Sequence, residues 1–124
     1  MSHFKFLHAA DLHLDSPLIG LASKSVDFAG QIERASRQAF DNLIILAIEE
    51  QVAFLVLAGD VFDGDLRNYQ TGLYFTAAMR RLEDAGVRVF LIAGNHDAVN
   101  RYAAKLRFSA NVHLFTNKGA ESVV

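Results

Sequence analysis

The sequence predicts an α/β domain with a mostly parallel sheet and flanking helices, in the order β-α-β-α-β-α-β. Two observations carry this prediction. Short apolar runs of strand length alternate with longer segments in which apolar residues recur every three or four positions. Each helical segment also separates two consecutive apolar runs, which is the arrangement of strand-crossover-strand units in parallel sheets.

The first half of the chain opens with a strand, expected near residues 4–9. A helix follows over roughly 29–50, where apolar residues such as Phe40 and Ile44 recur at helical spacing. The run at 52–58 is rich in Val, Leu and Phe and lacks polar alternation. Such a run is typical of a strand that is covered on both faces.

The second half continues the same alternation. A helix is predicted over about 66–85, and Gly86 is the kind of residue that often follows a helix end. The apolar residues of this helix form two stripes, one with Leu66, Leu73 and Ala77, the other with Tyr74, Ala78 and Leu82. The remaining predicted elements are a strand at 87–93, a short helix at about 98–108 and a strand at 111–115.

Composition limits the functional classes. The chain has 124 residues, of which 52% are hydrophobic and 21% charged, and this is typical of a folded globular protein. It has no cysteine, which excludes disulfides and cysteine-ligated zinc. The apolar runs are too short to cross a bilayer and no signal-peptide pattern is present, so we expect a cytoplasmic protein without a membrane partner. The net charge of −2 gives no overall basic surface for nucleic acid.

Three short polar motifs stand at the ends of apolar runs. We call residues 11–13 (Asp-Leu-His) the first motif, residues 59–63 (Gly-Asp-Val-Phe-Asp) the second motif and residues 94–97 (Gly-Asn-His-Asp) the third motif. Because functional groups of parallel α/β sheets gather at the carboxyl ends of the strands, we expect all three at one sheet edge. Carboxylates, amide oxygens and imidazoles are ligands of divalent metal ions, so the edge is a candidate metal site.

Each motif alone also has an ordinary structural interpretation. Asp11 and His13 would lie on the same side of an extended segment, but this pattern taken alone is more typical of a polar turn. Asp60 fits a helix N-cap or an Asx turn, and Asp63 fits either a cap or a residue that orients a metal ligand. Asp97 could cap a helix after a Gly-Asn turn. The joint occurrence of the motifs after three strands favours the metal site.

The three motifs resemble the D-x-H, G-D-x-x-D and G-N-H-D motifs of the calcineurin-like metallophosphoesterase superfamily. Residues 6–17 and the second motif are similar to its DNA-repair exonuclease branch, including the nuclease subunit of SbcCD-type complexes and YhaO-like proteins. The resemblance runs over nearly the whole chain. It implies two packed sheets flanked by helices, an αββα sandwich, with a two-metal site at the sheet edge.

The resemblance implies a metal-binding role for four residues. Asp11 and His13 would bind the first metal ion, Asp60 would bridge both ions, and Asn95 would bind the second. The two divalent ions would be manganese, with iron or magnesium as alternatives, since oxygen-rich ligands with some imidazole suit these metals.

The resemblance also implies the chemistry. His96 would stabilise or protonate the leaving group, and Asp97 would support it. The implied activity is hydrolysis of DNA phosphodiesters by an exonuclease of DNA repair, with an SMC-like ATPase as partner. Two alternatives remain open: a phosphoesterase for nucleotides or small phosphate esters, and a non-catalytic binding module of a repair complex.

Two features depart from the family pattern. Asp15 stands where the nuclease branch often has glycine, and the family's further isolated histidine and G-H-x-H motif do not occur. His113 lies in a strand-like run and is interpreted as structural. Residues 1–124 are therefore expected to form the N-terminal part of the catalytic domain, weak or inactive without the C-terminal part. A dimer or a complementing C-terminal half would cover the uncovered sheet face.

Overall fold

The sheet and helices are seen in a computed structural model that describes residues 3–15, 26–59, 61–62, 69–92, 108–115 and 119–124. Within these residues, four strands and two helices are present, which confirms the predicted α/β class. The strands are β1 (Phe6–Ala10), β2 (Phe54–Ala58), β3 (Arg88–Ile92) and β4 (Val112–Phe115), and the helices are α1 (Val26–Glu49) and α2 (Tyr69–Asp84). Neither of these helices combines the length and the apolar character needed to span a membrane.

The observed bounds differ from the predicted ones mainly where the chain turns. β2 begins at Phe54, two residues later than predicted, because Val52 and Ala53 lie in the turn that leaves α1. The helix predicted at about 98–108 falls almost wholly in residues 93–107, which lie outside the described part of the chain.

Both helices end in a Schellman motif, in which two N–H groups beyond the helix bond back to its last carbonyls. After α2, Val87 N–H donates to the Leu82 carbonyl (2.8 Å) and Gly86 N–H donates to the Glu83 carbonyl (2.9 Å). Gly86 follows the helix end as predicted, and its φ of +76° is the left-handed conformation that glycine adopts readily there. α1 ends in the same way, but Gln51 occupies the left-handed position with φ 50°.

The sheet has the order β1-β2-β3-β4, and every pair of neighbours is parallel. β2 pairs with β1 and β3 over its full length without a shift in register. Ala10, Ala58 and Ile92 consequently lie side by side at the carboxyl ends of their strands. The chain therefore leaves β1, β2 and β3 at the same level of the sheet.

The helices α1 and α2 pack against one face of the sheet. Right-handed crossovers between strands in sequential order place successive helices on the same face. The core joins Leu55, Leu57, Val89 and Leu91 of the strands to Phe40, Ile44 and Ala47 of α1 and to Phe75, Met79 and Leu82 of α2. Of the two stripes predicted on α2, the one with Ala78 and Leu82 is buried, whereas Leu73 and Ala77 are exposed.

The opposite face of the sheet is open within the described residues. It carries aromatic side chains, and an open groove of about 440 Å³ lies between Phe54, Phe90, Phe115 and the terminal residues Val123 and Val124. The apolar run of β2 predicts a strand that is covered on both faces, but in the described residues helices cover only one face. The physical reason is the sequential strand order, which puts both described helices on the other side.

The left-handed residue after α1 gives a test of the helix ends. A left-handed conformation costs a non-glycine residue about 1–2 kcal/mol, and glycine avoids this cost but loses more entropy on folding. We expect Gln51→Gly to raise the free energy of unfolding by about 0.5–1 kcal/mol, measured by urea denaturation.

Gly86→Ala is the matched control for this test. No atom lies within 4 Å of a Cβ built at Gly86, so the substitution changes only the backbone preference. It should lower the free energy of unfolding by about 1 kcal/mol. A loss of stability in Gln51→Gly would contradict the assignment of strain to that turn.

Candidate metal centre at the carboxyl edge of the sheet

The first and second motifs meet immediately beyond β1 and β2. Asp11 N–H donates to the Gly59 carbonyl (3.3 Å), and Leu14 N–H donates to the Val61 carbonyl (2.8 Å). Leu14 and Phe62 also form an isolated parallel bridge. The pairing of β1 with β2 is thus resumed past the strand ends, and it holds the chain of the first motif against the chain of the second.

β3 joins the same edge through Gly59. The Gly59 N–H donates to the carbonyl of Ile92, the last residue of β3 (3.0 Å). Gly59 has φ +71°, which costs glycine little. The third motif begins two residues after Ile92 in the sequence. The hydrogen bonds of a single glycine therefore tie the exits of β1 and β3 to the exit of β2.

The chain from Asp11 to Asp15, which we call the first-motif segment, is not extended, contrary to the expectation for Asp11 and His13 from their spacing. β1 ends at Ala10, and the polar residues Asp11, His13 and Asp15 have φ values of 54°, 43° and 57°. Left-handed backbone is uncommon in residues other than glycine, and such strained positions cluster at functional sites. The segment is held in this shape by its surroundings.

Two of the seven predicted site residues can be placed in the described structure. Asp11 is exposed and His13 is half-buried, both at the carboxyl edge of the sheet. Among the described residues, no three His, Cys, Asp or Glu side chains are grouped as a metal site. The other predicted site residues lie outside the described part of the chain: Asp60, Asp63, Asn95, His96 and Asp97.

The motif segments are anchored by apolar side chains, which the motif patterns alone did not single out. Leu14, Val61 and Phe62 are 3%, 2% and 6% exposed and belong to the main core. The Phe62 ring packs edge-on against Phe75 of α2 at 5.3 Å between ring centroids. The alternation of polar and apolar residues within the motifs was the available signal for these anchors.

Asp15 connects the end of the first-motif segment to both helices. Its carboxylate accepts two hydrogen bonds from the Arg37 Nε (2.9 and 3.0 Å) and one from Arg37 Nη2 (2.6 Å). The Thr71 hydroxyl donates to the same carboxylate (2.6 Å), and the Asp15 N–H donates to the Ser36 hydroxyl (3.2 Å). The Asp15 side chain is only 11% exposed, so its carboxylate is largely shielded from solvent, whereas the Arg37 side chain is 39% exposed.

Arg37 is itself held in place by α2. Its guanidinium carbon lies 4.8 Å from the centroid of the Tyr74 ring, in a cation–π contact. The Tyr74 hydroxyl lies within hydrogen-bond distance of the Asp41 carboxylate and of the Arg37 carbonyl oxygen (3.0 Å). Asp15, Arg37, Tyr74, Asp41 and Thr71 form one polar network, which we call the Asp15 network.

The pKa values of two groups in the Asp15 network are shifted. Burial raises the pKa of the Asp15 carboxyl, but the hydrogen bonds from Arg37 and Thr71 and the Arg37 charge outweigh it and hold that pKa below its usual value. Burial, followed by the hydrogen bond to Asp41, raises the pKa of the Tyr74 phenol. At neutral pH, Asp15 is therefore a carboxylate and Tyr74 a neutral phenol.

His113, which was interpreted as structural, lies on β4 away from the motif segments. Its Nε2 is 2.8 Å from a carboxylate oxygen of Glu121, and its ring packs edge-on against Phe115 at 4.6 Å. These contacts join β4 to the C-terminal residues and are consistent with the structural interpretation.

Comparison with known proteins points to one family. The model of the calcineurin-like phosphoesterase family matches residues 4–122. The metallophosphoesterase YhaO of Bacillus subtilis is 33% identical over 117 residues, which are 94% of this chain and 29% of that protein. The DNA double-strand break repair protein Mre11 of Sulfurisphaera tokodaii is 31% identical over 104 residues, or 84% of this chain and 25% of that protein.

A third relative belongs to the nuclease SbcCD of Escherichia coli, of which it is one subunit. It is 33% identical over 115 residues, which are 91% of this chain and 25% of the relative. The chain thus spans between a quarter and three tenths of the length of these relatives.

The anchoring of the first-motif segment can be tested by shortening Leu14. We expect Leu14→Ala to lower the free energy of unfolding by about 2–5 kcal/mol, because it leaves a cavity between the segment and the core. Leu46→Ala is the matched control, since Leu46 is 43% exposed on α1 and its truncation should cost well under about 1 kcal/mol. Equal losses in the two variants, measured by urea denaturation, would contradict the anchoring role.

Proposed function

Because the chain belongs to the calcineurin-like phosphoesterase family, we propose that it supplies part of a metal-dependent phosphodiesterase of the exonuclease type that acts on DNA. The family is a class of hydrolases. The preference for DNA is drawn from the relatives, among which are a DNA double-strand break repair protein and a nuclease subunit.

One structural observation supports a catalytic site at the carboxyl edge of the sheet. Asp11 is hydrogen-bonded through its backbone to Gly59, and Gly59 is bonded to the end of β3. Asp60 follows Gly59 directly in the sequence, and its other neighbour, Val61, is bonded to Leu14. The described backbone thus brings the exits of three strands together, as a shared ligand set requires.

The donors present fit a divalent metal ion. The exposed Asp11 supplies carboxylate oxygens and the half-buried His13 supplies an imidazole nitrogen, a mixture that suits Mn²⁺, with Fe²⁺ or Mg²⁺ as alternatives. We propose that Asp11 and His13 hold the first of two ions, that Asp60 is shared by both, and that Asn95 holds the second. The chemistry that two divalent ions supply in such a site is activation of water and neutralisation of charge on the phosphate.

The remaining motif residues are assigned to proton transfer and to the orientation of a metal ligand. We propose that His96 donates a proton to the leaving oxygen of the phosphodiester and that Asp97 fixes the orientation of its ring. Asp63 is assigned to orienting a metal ligand. The further histidines that the family resemblance implies are not among these 124 residues, so weak or no turnover is proposed for this chain by itself.

We propose that the protein works in a complex. The Escherichia coli relative is named as a subunit of a nuclease, and the family resemblance implies an SMC-like ATPase as partner. The open aromatic face of the sheet favours cover by a complementing C-terminal half or by a second copy. A cytoplasmic location stays a prediction.

Metal binding is the first test of this proposal. Calorimetric titration of the chain with Mn²⁺ should show binding that Asp11→Ala and Asp60→Ala each weaken by at least about tenfold, because each removes a proposed ligand. Asp84→Ala is the control, since Asp84 is an exposed acid at the end of α2. Binding that survives both ligand substitutions would favour a non-catalytic module.

Hydrolysis is the second test. A protein of the relatives' length should degrade linear DNA with Mn²⁺, and His96→Ala should reduce its rate by roughly 100-fold or more, as expected for loss of a general acid. Chromogenic monoesters and diesters serve as competing substrates. A preference for the monoester would identify a small-ester phosphoesterase instead. Robust turnover by the 124-residue chain that depends on His96 would contradict the proposed need for further histidines.

A further inference from the structure

Asp15 stands at the junction between the proposed metal ligands and the two helices. It lies two residues after His13, and its carboxylate is bonded to Arg37 of α1 and Thr71 of α2. We propose that Asp15 is a positioning residue, which holds Asp11 and His13 in the geometry that binds metal. This inference rests on the metal site of the proposed function.

The shape of the first-motif segment requires such support. Asp11, His13 and Asp15 all have left-handed φ values, and a short chain of non-glycine residues does not keep three of them without contacts that impose them. At its start, the segment is held by the bond from Asp11 N–H to Gly59, and in its middle by Leu14. Asp15 is the last described residue of the segment, and its side chain and N–H fix that end.

The partners of Asp15 are suited to fixing a position. Arg37 presents a planar fork to both carboxylate oxygens, which restricts rotation of the Asp15 side chain more than a single hydrogen bond does. The Tyr74 ring, 4.8 Å from the guanidinium carbon, holds Arg37 from α2. Thr71 is 2% exposed, so its hydrogen bond to Asp15 is protected from water. Both helices therefore act on one carboxylate.

The network also has a purely structural interpretation, in which it only joins α1 to α2. The two interpretations predict different effects on metal affinity. A residue that only joins the helices would change the free energy of unfolding and leave the Mn²⁺ affinity of the folded chain unchanged. A positioning residue would change both, because supporting groups around metal ligands typically alter affinity about 10–100-fold.

The test measures Mn²⁺ affinity by calorimetry and unfolding by urea for the 124-residue chain and three variants. Asp15→Asn keeps the size of the side chain but removes the ion pair. Thr71→Val removes one hydrogen bond without changing the charge near the metal. Ile44→Val is the control, because Ile44 is fully buried on α1 and is not part of the Asp15 network, so shortening it makes the core less stable and leaves the network's hydrogen bonds in place.

We expect Asp15→Asn to weaken Mn²⁺ binding about 10–100-fold and Thr71→Val to weaken it by a smaller but measurable factor. Ile44→Val should lose stability and keep wild-type affinity. If Asp15→Asn does not fold, Thr71→Val decides the question alone. Wild-type affinity in Thr71→Val and in any folded Asp15→Asn protein would overturn the positioning role.

The failure of the proposed metal site has a different signature. If the wild-type chain binds no Mn²⁺, or if Asp11→Ala binds it as tightly as the wild type, the proposed metal site and the positioning role are both rejected. If Asp11→Ala abolishes binding while the Asp15 and Thr71 variants bind normally, the metal site stands and only the positioning role is rejected.

Discussion

The parallel pairing of β2 on both of its edges is the constraint on which the rest of the structure depends. A buried strand must satisfy its N–H and C=O groups, and β2 does so with β1 on one side and β3 on the other, in an unshifted register. The three strands therefore end level. Gly59 then bonds to both neighbours, through Asp11 and Ile92, so the exits of the strands are brought together by the same hydrogen-bonding rule that builds the sheet.

The motif segments combine the proposed metal ligands with apolar anchors that reach into the core. Asp11 and His13 stand on a strained backbone, whereas Leu14 and Phe62 are buried below them. Burial of apolar surface stabilises the segments, and this offsets the cost of the left-handed residues. The Asp15 network adds a polar tie to α1 and α2. The proposed metal site at this edge would need both kinds of support, since metal sites depend on how their ligands are oriented.

The sheet is one-sided in the described residues, and this follows from its topology. Strands in sequential order, joined by crossovers of one hand, leave their helices on one face. The other face shows stacked and edge-on contacts among Phe6, Phe54 and Phe90 instead of helical cover. An α/β fold with a four-stranded parallel sheet and one covered face is consistent with half of a metallophosphoesterase domain, whose family matches nearly the whole chain.

The sequence alone determined the order of the described strands and helices, the end of α2 before Gly86 and the family to which the motifs belong, because these depend on local spacing and on neighbouring residues. Of the candidate site, it identified the residues but not their geometry. Only the tertiary structure decided which face the helices cover, and that Asp15 pairs with Arg37 and Thr71, which lie 22 and 56 residues away. No regular spacing in the sequence relates Asp15 to these partners. They meet because the fold brings α1 and α2 beside the chain that follows β1.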